Sequence, residues 1–153
     1  MDKEIEFKFS SPADSPGYLL WQLTMLWQRQ MNRVLKEAGI THTQFVILTA
    51  LGWLSKTSNE VTQVDIATLS NTDRMMVSKI LRKLQEEGII KRKESEIDTR
   101  AKYVFLTEKG AEILQDALTK VETTDLAFFG KLGTNLPDFN RKLNFLLNAN
   151  KDQ

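Results

Sequence analysis

Met75, Ser78, Lys79, Arg82 and Glu86 recur three and four residues apart, with Arg74, Met76 and Lys83 beside them. At about 100° per residue a helix over residues 73–87 gathers their guanidinium, ammonium and hydroxyl donors on one side. Val77, Ile80, Leu81 and Leu84 fall on the other side and anchor the helix to a core. Donors on an outward face, crowded toward a helix N-terminus, are what the base edges and phosphates of a DNA major groove require. The competing reading is an ordinary solvated helix face. Met75 favours the groove, because an outward large apolar side chain has a use against a thymine methyl or a sugar and none in water.

A second constellation is Asp98-Thr99-Arg100, in a polar stretch over residues 94–102 that exceeds the ~2–5 residues of a plain hairpin turn. The carboxylate is within reach of the guanidinium two residues on and can hold it in one orientation. An arginine presented this way suits the narrow, electronegative minor groove of A/T-rich DNA. The alternative is a surface ion pair of little worth. Charge supports the first reading. Residues 73–102 carry nine basic and six acidic side chains, whereas the flanking segments each carry six basic and seven acidic ones, in a chain of net charge +1.

Other chemistry is scarce. The 153 residues include no cysteine, which excludes disulfides, Cys-ligated zinc, iron–sulfur clusters and thiol sensing, and His42 is the single imidazole. A hydrolase or metalloenzyme would have to be built around that residue, so an enzyme ranks last, and no cofactor or metal is expected.

The elements that must position these residues follow from periodicity. Residues 18–36 read as a long amphipathic helix stopped at Gly39, and residues 45–56 as a second, capped by Thr41 or Thr43, with Phe45, Leu48, Leu51 and Trp53/Leu54 inward. Thr62 with Asp65 caps a short third helix, and Thr72 is expected to cap the fourth, which ends at Gly88. Residues 89–93 and 103–107 read as two strands. Helix, turn, helix, hairpin is the winged helix-turn-helix order. A helix from Glu108 runs to Phe128 and Phe129, and a last one from Leu136-Pro137 carries the seam Leu136, Phe139, Leu143 and Leu146/Leu147. The fold class is therefore mainly α with a small β-hairpin wing. Residues 1–16 are expected to be a flexible segment without a signal sequence, and 17–153 one domain, with the winged helix at about 43–107. Nothing approaches the ~18 apolar residues of a membrane span, so a cytoplasmic protein is expected.

The stretches Gln63-Val64-Asp65-Ile66-Ala67, Thr72-Asp73-Arg74-Met75-Met76-Val77-Ser78-Lys79, Leu84-Gln85-Glu86-Glu87-Gly88-Ile89-Ile90, Asp98-Thr99-Arg100-Ala101-Lys102 and Leu106-Thr107-Glu108-Lys109-Gly110 together resemble the MarR family of bacterial transcriptional regulators, over about residues 18–147. The resemblance implies an obligate homodimer joined through helices at about 18–38 and 108–150, with two winged domains reading a pseudo-palindrome in double-stranded DNA. It implies that the fourth helix is the recognition helix, Arg100 the wing-tip arginine and Asp98 its positioning partner. The candidate DNA-contacting set is then Gln63, Thr72, Arg74, Met75, Ser78, Lys79, Arg82, Arg92, Asp98, Arg100 and Lys102. Gln85 stands where many members have Glu, a change of surface charge.

Some members bind phenolic or aromatic carboxylates between the dimerisation helices and the winged domain. By that likeness Trp21, Trp27, His42 and Trp53 are candidates to line a site for a small aromatic effector. The competing reading puts Trp27 and Trp53 in the core and leaves His42 solvated in a turn between helices. The expected function is a sequence-specific DNA-binding regulator, a repressor relieved by a ligand. The rival is a winged-helix protein-interaction module without DNA binding, motivated by the small net charge.

Overall fold

Side-chain oxygens set where the first five α-helices of this chain begin. The structure is a computed structural model that describes residues 2–98 and 100–151, so Thr99 of the wing motif and the terminal residues Met1, Asp152 and Gln153 lie outside it. Ser15 caps helix α1 (Pro16–Glu37) by accepting from the Tyr18 amide. Thr41 and Gln44 form a reciprocal capping box at α2 (His42–Leu54), and Thr62 and Asp65 form another at α3 (Gln63–Ser70). Asp73, not Thr72, caps α4 (Arg74–Glu86), its Oδ1 accepting from the Met75 and Met76 amides at 2.9 and 3.1 Å. A carboxylate answers two free amides and the positive helix end together, which a threonine hydroxyl cannot. Thr72 instead donates its hydroxyl to the Ser70 carbonyl.

The turn between α3 and α4 is tight because Asn71 adopts a left-handed conformation, φ 49°, from which the Thr72 amide closes on the Ala67 carbonyl at 3.1 Å. Strands β1 (Ile90–Glu94) and β2 (Lys102–Leu106) pair antiparallel from Ile90↔Leu106 to Glu94↔Lys102. Each lies one residue from its expected place. Ile89 belongs to the buried turn after α4, and Thr107 is the cap of α5 (Glu108–Phe129). The segment before α3 adds a short third edge, with Thr62 bridged to Tyr103 and the Val104 amide donating to the Val61 carbonyl at 2.8 Å. A 3-10 stretch, Gly130–Asn135, then leads to α6 (Leu136–Ala149).

One core serves both halves. Ile47, Leu48 and Leu51 of α2 are fully buried with Leu35 of α1, Ile66 of α3, Leu81 and Leu84 of α4, Ile90 and Val104 of the hairpin, and Ala117 of α5. Trp53, expected inward, is 64% exposed. It lies roughly 200° round α2 from Leu51, whereas Leu54 comes back to the core side and packs there. The seam of α6 is also uncovered over its second half: Leu136 and Phe139 are half-buried, with Phe139 stacked on Phe129, while Leu143, Leu146 and Leu147 are exposed. At the other end, α1 begins at Pro16, preceded by a hydrogen-bonded 3-10 turn, Pro12–Asp14, with Asp14 accepting from Ser10 and Ser11.

A close approach of backbones joins the winged unit to α5. Thr107 donates its amide to the Ile89 carbonyl at 3.1 Å, its hydroxyl reaches the Gly88 carbonyl at 2.6 Å, and the same oxygen accepts from the Gly110 amide at 3.0 Å. A Cβ on Gly110 would lie 2.0 Å from the Ile89 oxygen. Gly110→Ala is therefore expected to cost about 3 kcal/mol by forcing α5 away from this turn. Gly130→Ala, with nothing within 4 Å of the added methyl, is expected to be near neutral. Thermal melts of the two variants check this, and equal melting temperatures would show that the approach is not tight.

Candidate nucleic-acid interface

Helix α4 is two-faced in the sense its spacing dictates. Val77, Leu81 and Leu84 are fully buried and Ile80 half-buried, while Arg74, Met76, Lys79, Arg82 and Lys83 are exposed. Met75 is 81% exposed and, with Met76, gives an otherwise cationic face its apolar members. Ser78 is half-buried, at the edge between the two faces. The start of α2 runs beside this helix, so that Thr41, Thr43 and Gln44 share a groove with Met75, Met76 and Lys79. Sequence periodicity missed Thr43 as a neighbour of the α4 face, because nothing local places residues of α2 against α4. Gln63 opens α3 and is half-buried, and Thr72 is half-buried with its hydroxyl already engaged.

The wing is built around one buried polar atom. Ser95 is 5% exposed, and its Oγ accepts from the Ile97 and Asp98 amides at 3.2 Å each and lies 3.4 Å from the Tyr103 hydroxyl. Its own amide donates to the Ala101 carbonyl at 2.9 Å, and the Ala101 amide to the Asp98 carbonyl at 3.0 Å. The connection between the strands is thus residues 95–101, shorter than the expected 94–102 because Glu94 and Lys102 pair in the ladder. On this base Asp98 Oδ1 accepts from both the Arg100 amide, at 3.0 Å, and its Nε, at 3.3 Å. The guanidinium is held at its base while its side chain stays 92% exposed. An exposed pair of this kind contributes little to stability.

A further tie was invisible in the sequence. Arg92 Nε on β1 donates to Gln85 Oε1 near the end of α4 at 2.7 Å, joining the hairpin to the helix. The residue read as a change of surface charge is therefore a contact. Lys102 is exposed at the open end of the ladder opposite Glu94. Among the described residues, no group of three potential metal ligands comes together.

The aromatic candidates are not gathered into one cavity within the chain. Trp21 is exposed on α1, and Trp53 lines a shallow hollow of α2 and α3 with the Lys56 ammonium 4.7 Å from its ring centroid. His42 is the first residue of α2 rather than part of a solvated turn, and it lines a separate cleft with Lys36 and Lys83. Its ring meets Trp27 edge-on at 5.3 Å. Trp27 in turn donates Nε1 to Asp125 Oδ1 on α5 at 2.8 Å. Burial pushes the His42 pKa below its usual 6.5, against a smaller upward pull from the Asp125 carboxylate. These three residues form a polar joint between the long helices α1 and α5 and the start of the winged unit.

Comparison with known proteins matches this arrangement. Residues 36–124 fit the model of the ArnR1-like winged-helix domain. The chain is 44% identical over 122 residues to an uncharacterized HTH-type transcriptional regulator, YdcH, of Bacillus subtilis (strain 168), covering 80% of this chain and 83% of that one. It is 30% identical over 124 residues to the transcriptional repressor MprA of Escherichia coli (strain K12), covering 77% and 69%. A MarR mutant from E. coli solved with operator DNA superposes with a TM-score of 0.69 at 25% identity, covering 87% of this chain and 91% of that one. With its winged helix, its wing motif and the two long helices that flank them, the chain belongs to the MarR family of HTH-type transcriptional regulators.

Proposed function

We propose that the protein is a homodimeric repressor that inserts α4 of each subunit into the DNA major groove and lays each wing in the neighbouring minor groove. The observation that carries this reading is the division of α4 into a sealed apolar side and an exposed face of Met75, Lys79 and Arg82, flanked by an Arg100 whose base is fixed. Dimerisation is supported by the apolar surface left open on Leu19, Leu20, Trp21 and Leu26 of α1 and on Phe145, Leu146 and Leu147 of α6. Two such subunits read half-sites about one DNA turn, ~34–36 Å, apart. Repression is drawn from the likeness to MprA. The work is binding rather than catalysis, and it is done in the cytoplasm, where bacterial DNA lies. No helix among the described residues is long and apolar enough to cross a membrane.

A small aromatic effector is part of the proposal. It acts by preferring one spacing of the winged units over another, and it shifts DNA affinity by the difference between its affinities for the two states. The joint of Trp27, His42 and Asp125 is where such a preference would be felt, since it links the long helices to α2.

Lys79→Ala and Arg82→Ala are each expected to weaken operator binding and to lower the slope of log affinity against log salt by about one for each phosphate that the side chain neutralises. Met75→Ala is expected to alter sequence preference with the slope unchanged. Fluorescence anisotropy titrations over a salt series check both, and slopes and affinities equal to the wild type would remove α4 as the reading element.

The wing pair gives a sharper test. Arg100→Ala is expected to lose most affinity on duplexes with A/T-rich flanks. Asp98→Ala is expected to lose less, and nothing further once Arg100 is already Ala. A double-mutant cycle on A/T- and G/C-flanked duplexes decides, with additive losses or flank-independent loss for Arg100→Ala counting against the assignment.

The joint predicts a pH dependence of stability. Because the folded state holds His42 with a pKa below 6.5, the unfolded chain binds more protons as pH falls through that value. The contribution of His42 is thus full above pH 6.5 and is lost progressively below it, down to the folded pKa. Melting temperatures measured between about pH 7.5 and 5.5 are expected to fall less steeply for His42→Gln than for the wild type. A parallel pair of curves would mean that His42 is not held neutral by the fold.

A further inference from the structure

The tip of the wing carries a large apolar side chain that the fold of the chain does not use. Ile97 is 95% exposed, more than any other large apolar residue among those described. It is held out rather than left loose. Its amide donates to the buried Ser95 Oγ at 3.2 Å, the Asp98 amide donates to the same oxygen, and the Ala101 amide closes on the Asp98 carbonyl at 3.0 Å. Branching at Cβ stiffens the side chain itself. A single exposed apolar residue is common on a protein surface. This one stands three residues before Arg100, on the same hydrogen-bonded turn that presents the guanidinium.

Charge divides the wing into shoulders and a tip. The strands carry Lys91, Arg92, Lys93 and Lys102 against Glu94, whereas residues 95–101 carry Glu96 and Asp98 against Arg100 alone. The shoulders therefore suit the phosphates that rim a groove, and the tip, negative overall, gains nothing from them. Arg100 is moreover already engaged by Asp98 at 3.3 Å. An apolar contact supplies what charge does not. Deoxyribose C–H groups line the walls of the minor groove, and where A/T-rich sequence narrows that groove an isoleucine between the walls is closed off from water. The other use of an apolar side chain there is as a wedge between base pairs, which unstacks the step and kinks the duplex. A kink toward the major groove opens the minor groove, and so gives up the narrowness that suits Arg100 on the same turn.

We infer that Ile97 is a DNA contact: it packs against the deoxyribose walls of the minor groove beside Arg100, and gives the wing a preference for narrow-grooved flanks that does not depend on charge. This rests on the placement of the wing in the preceding section and adds to it a residue, and a kind of contact, outside the Asp98 and Arg100 pair. Half-burying an isoleucine corresponds to roughly three- to tenfold in affinity for each wing, and a dimer has two.

The probe is the duplex that the wild-type protein enriches from a random pool, made in two versions with A/T-rich and G/C-rich flanks. Ile97→Ser is expected to weaken binding to the A/T version about tenfold and to the G/C version less than about threefold. The slope of log affinity against log salt is expected to stay at the wild-type value, because an apolar contact releases no counterions. Ile97→Leu is expected to remain within about threefold of the wild type on both duplexes. Since Ile97 is almost fully exposed, both variants are expected to keep the wild-type melting temperature. Aminopurine reporters at the flanking steps are expected to stay quenched when the wild-type protein binds. Wild-type affinity in Ile97→Ser, an equal loss on both flanks, a lowered salt slope, or an Ile97→Leu variant as weak as Ile97→Ser overturns the contact and leaves α4 and Arg100 as the reading elements. A rise in aminopurine fluorescence shows a wedge between bases and overturns packing on the sugars. A wild-type protein that enriches no duplex overturns DNA reading first, and this contact with it.

Discussion

The position of the exposed face of α4 depends on one crowded turn. Ile89 leaves α4, gives its carbonyl to the Thr107 amide, and passes so close to Gly110 that only hydrogen fits between them. Thr107 spends its hydroxyl on both sides of this meeting, reaching back to Gly88 and accepting from the first turn of α5. The end of α4, the base of the hairpin and the origin of the long helix α5 are thereby fixed at one point. A rigid meeting of this kind lets a shift of α5 be passed to α4 and the wing together, because a packed junction moves as a body rather than deforming.

Outward from that point the fold is increasingly exposed and is held by polar rather than apolar contacts. Gln85 ties Arg92 to α4, and Ser95 gathers the amides of the wing's turn. Such bonds are worth little as stability in water but determine where a flexible cationic side chain starts from. Holding the Arg100 Nε on Asp98 orients the guanidinium while the side chain stays exposed. Asp73 has the complementary effect on α4, neutralising free amides at an end that would otherwise need water.

The opposite pole is unfinished in a single chain. Helices α1 and α6 expose leucines and phenylalanines that no described segment of the same chain covers, and the joint of Trp27, His42 and Asp125 lies between that pole and the winged unit. The core reaching from Leu35 to Ala117 makes the whole a single mechanical piece.

The sequence by itself determined the order of the elements, the family and the two faces of α4. Period and capping are local: Thr62 with Asp65, Gly88 after the last turn, and Val77, Leu81 and Leu84 against Met75, Lys79 and Arg82 are all set within a few residues of chain. It also contained the Asp98-to-Arg100 spacing, because the partners are two residues apart. Tertiary structure decided what depends on distant neighbours. Trp53 falls roughly 80° round α2 from Phe45 and so looked like core, yet no neighbouring element extends over it. His42 became half-buried because Trp27, fifteen residues earlier, turns its edge to it, and Trp27 is held there by Asp125, 98 residues on. Gln85 became a contact because the hairpin folds back onto α4, seven residues away in sequence but across a turn. The capping of α4 by Asp73 in place of Thr72 lay between the two cases: both residues can cap, and the left-handed turn at Asn71 chose which oxygen met the free amides.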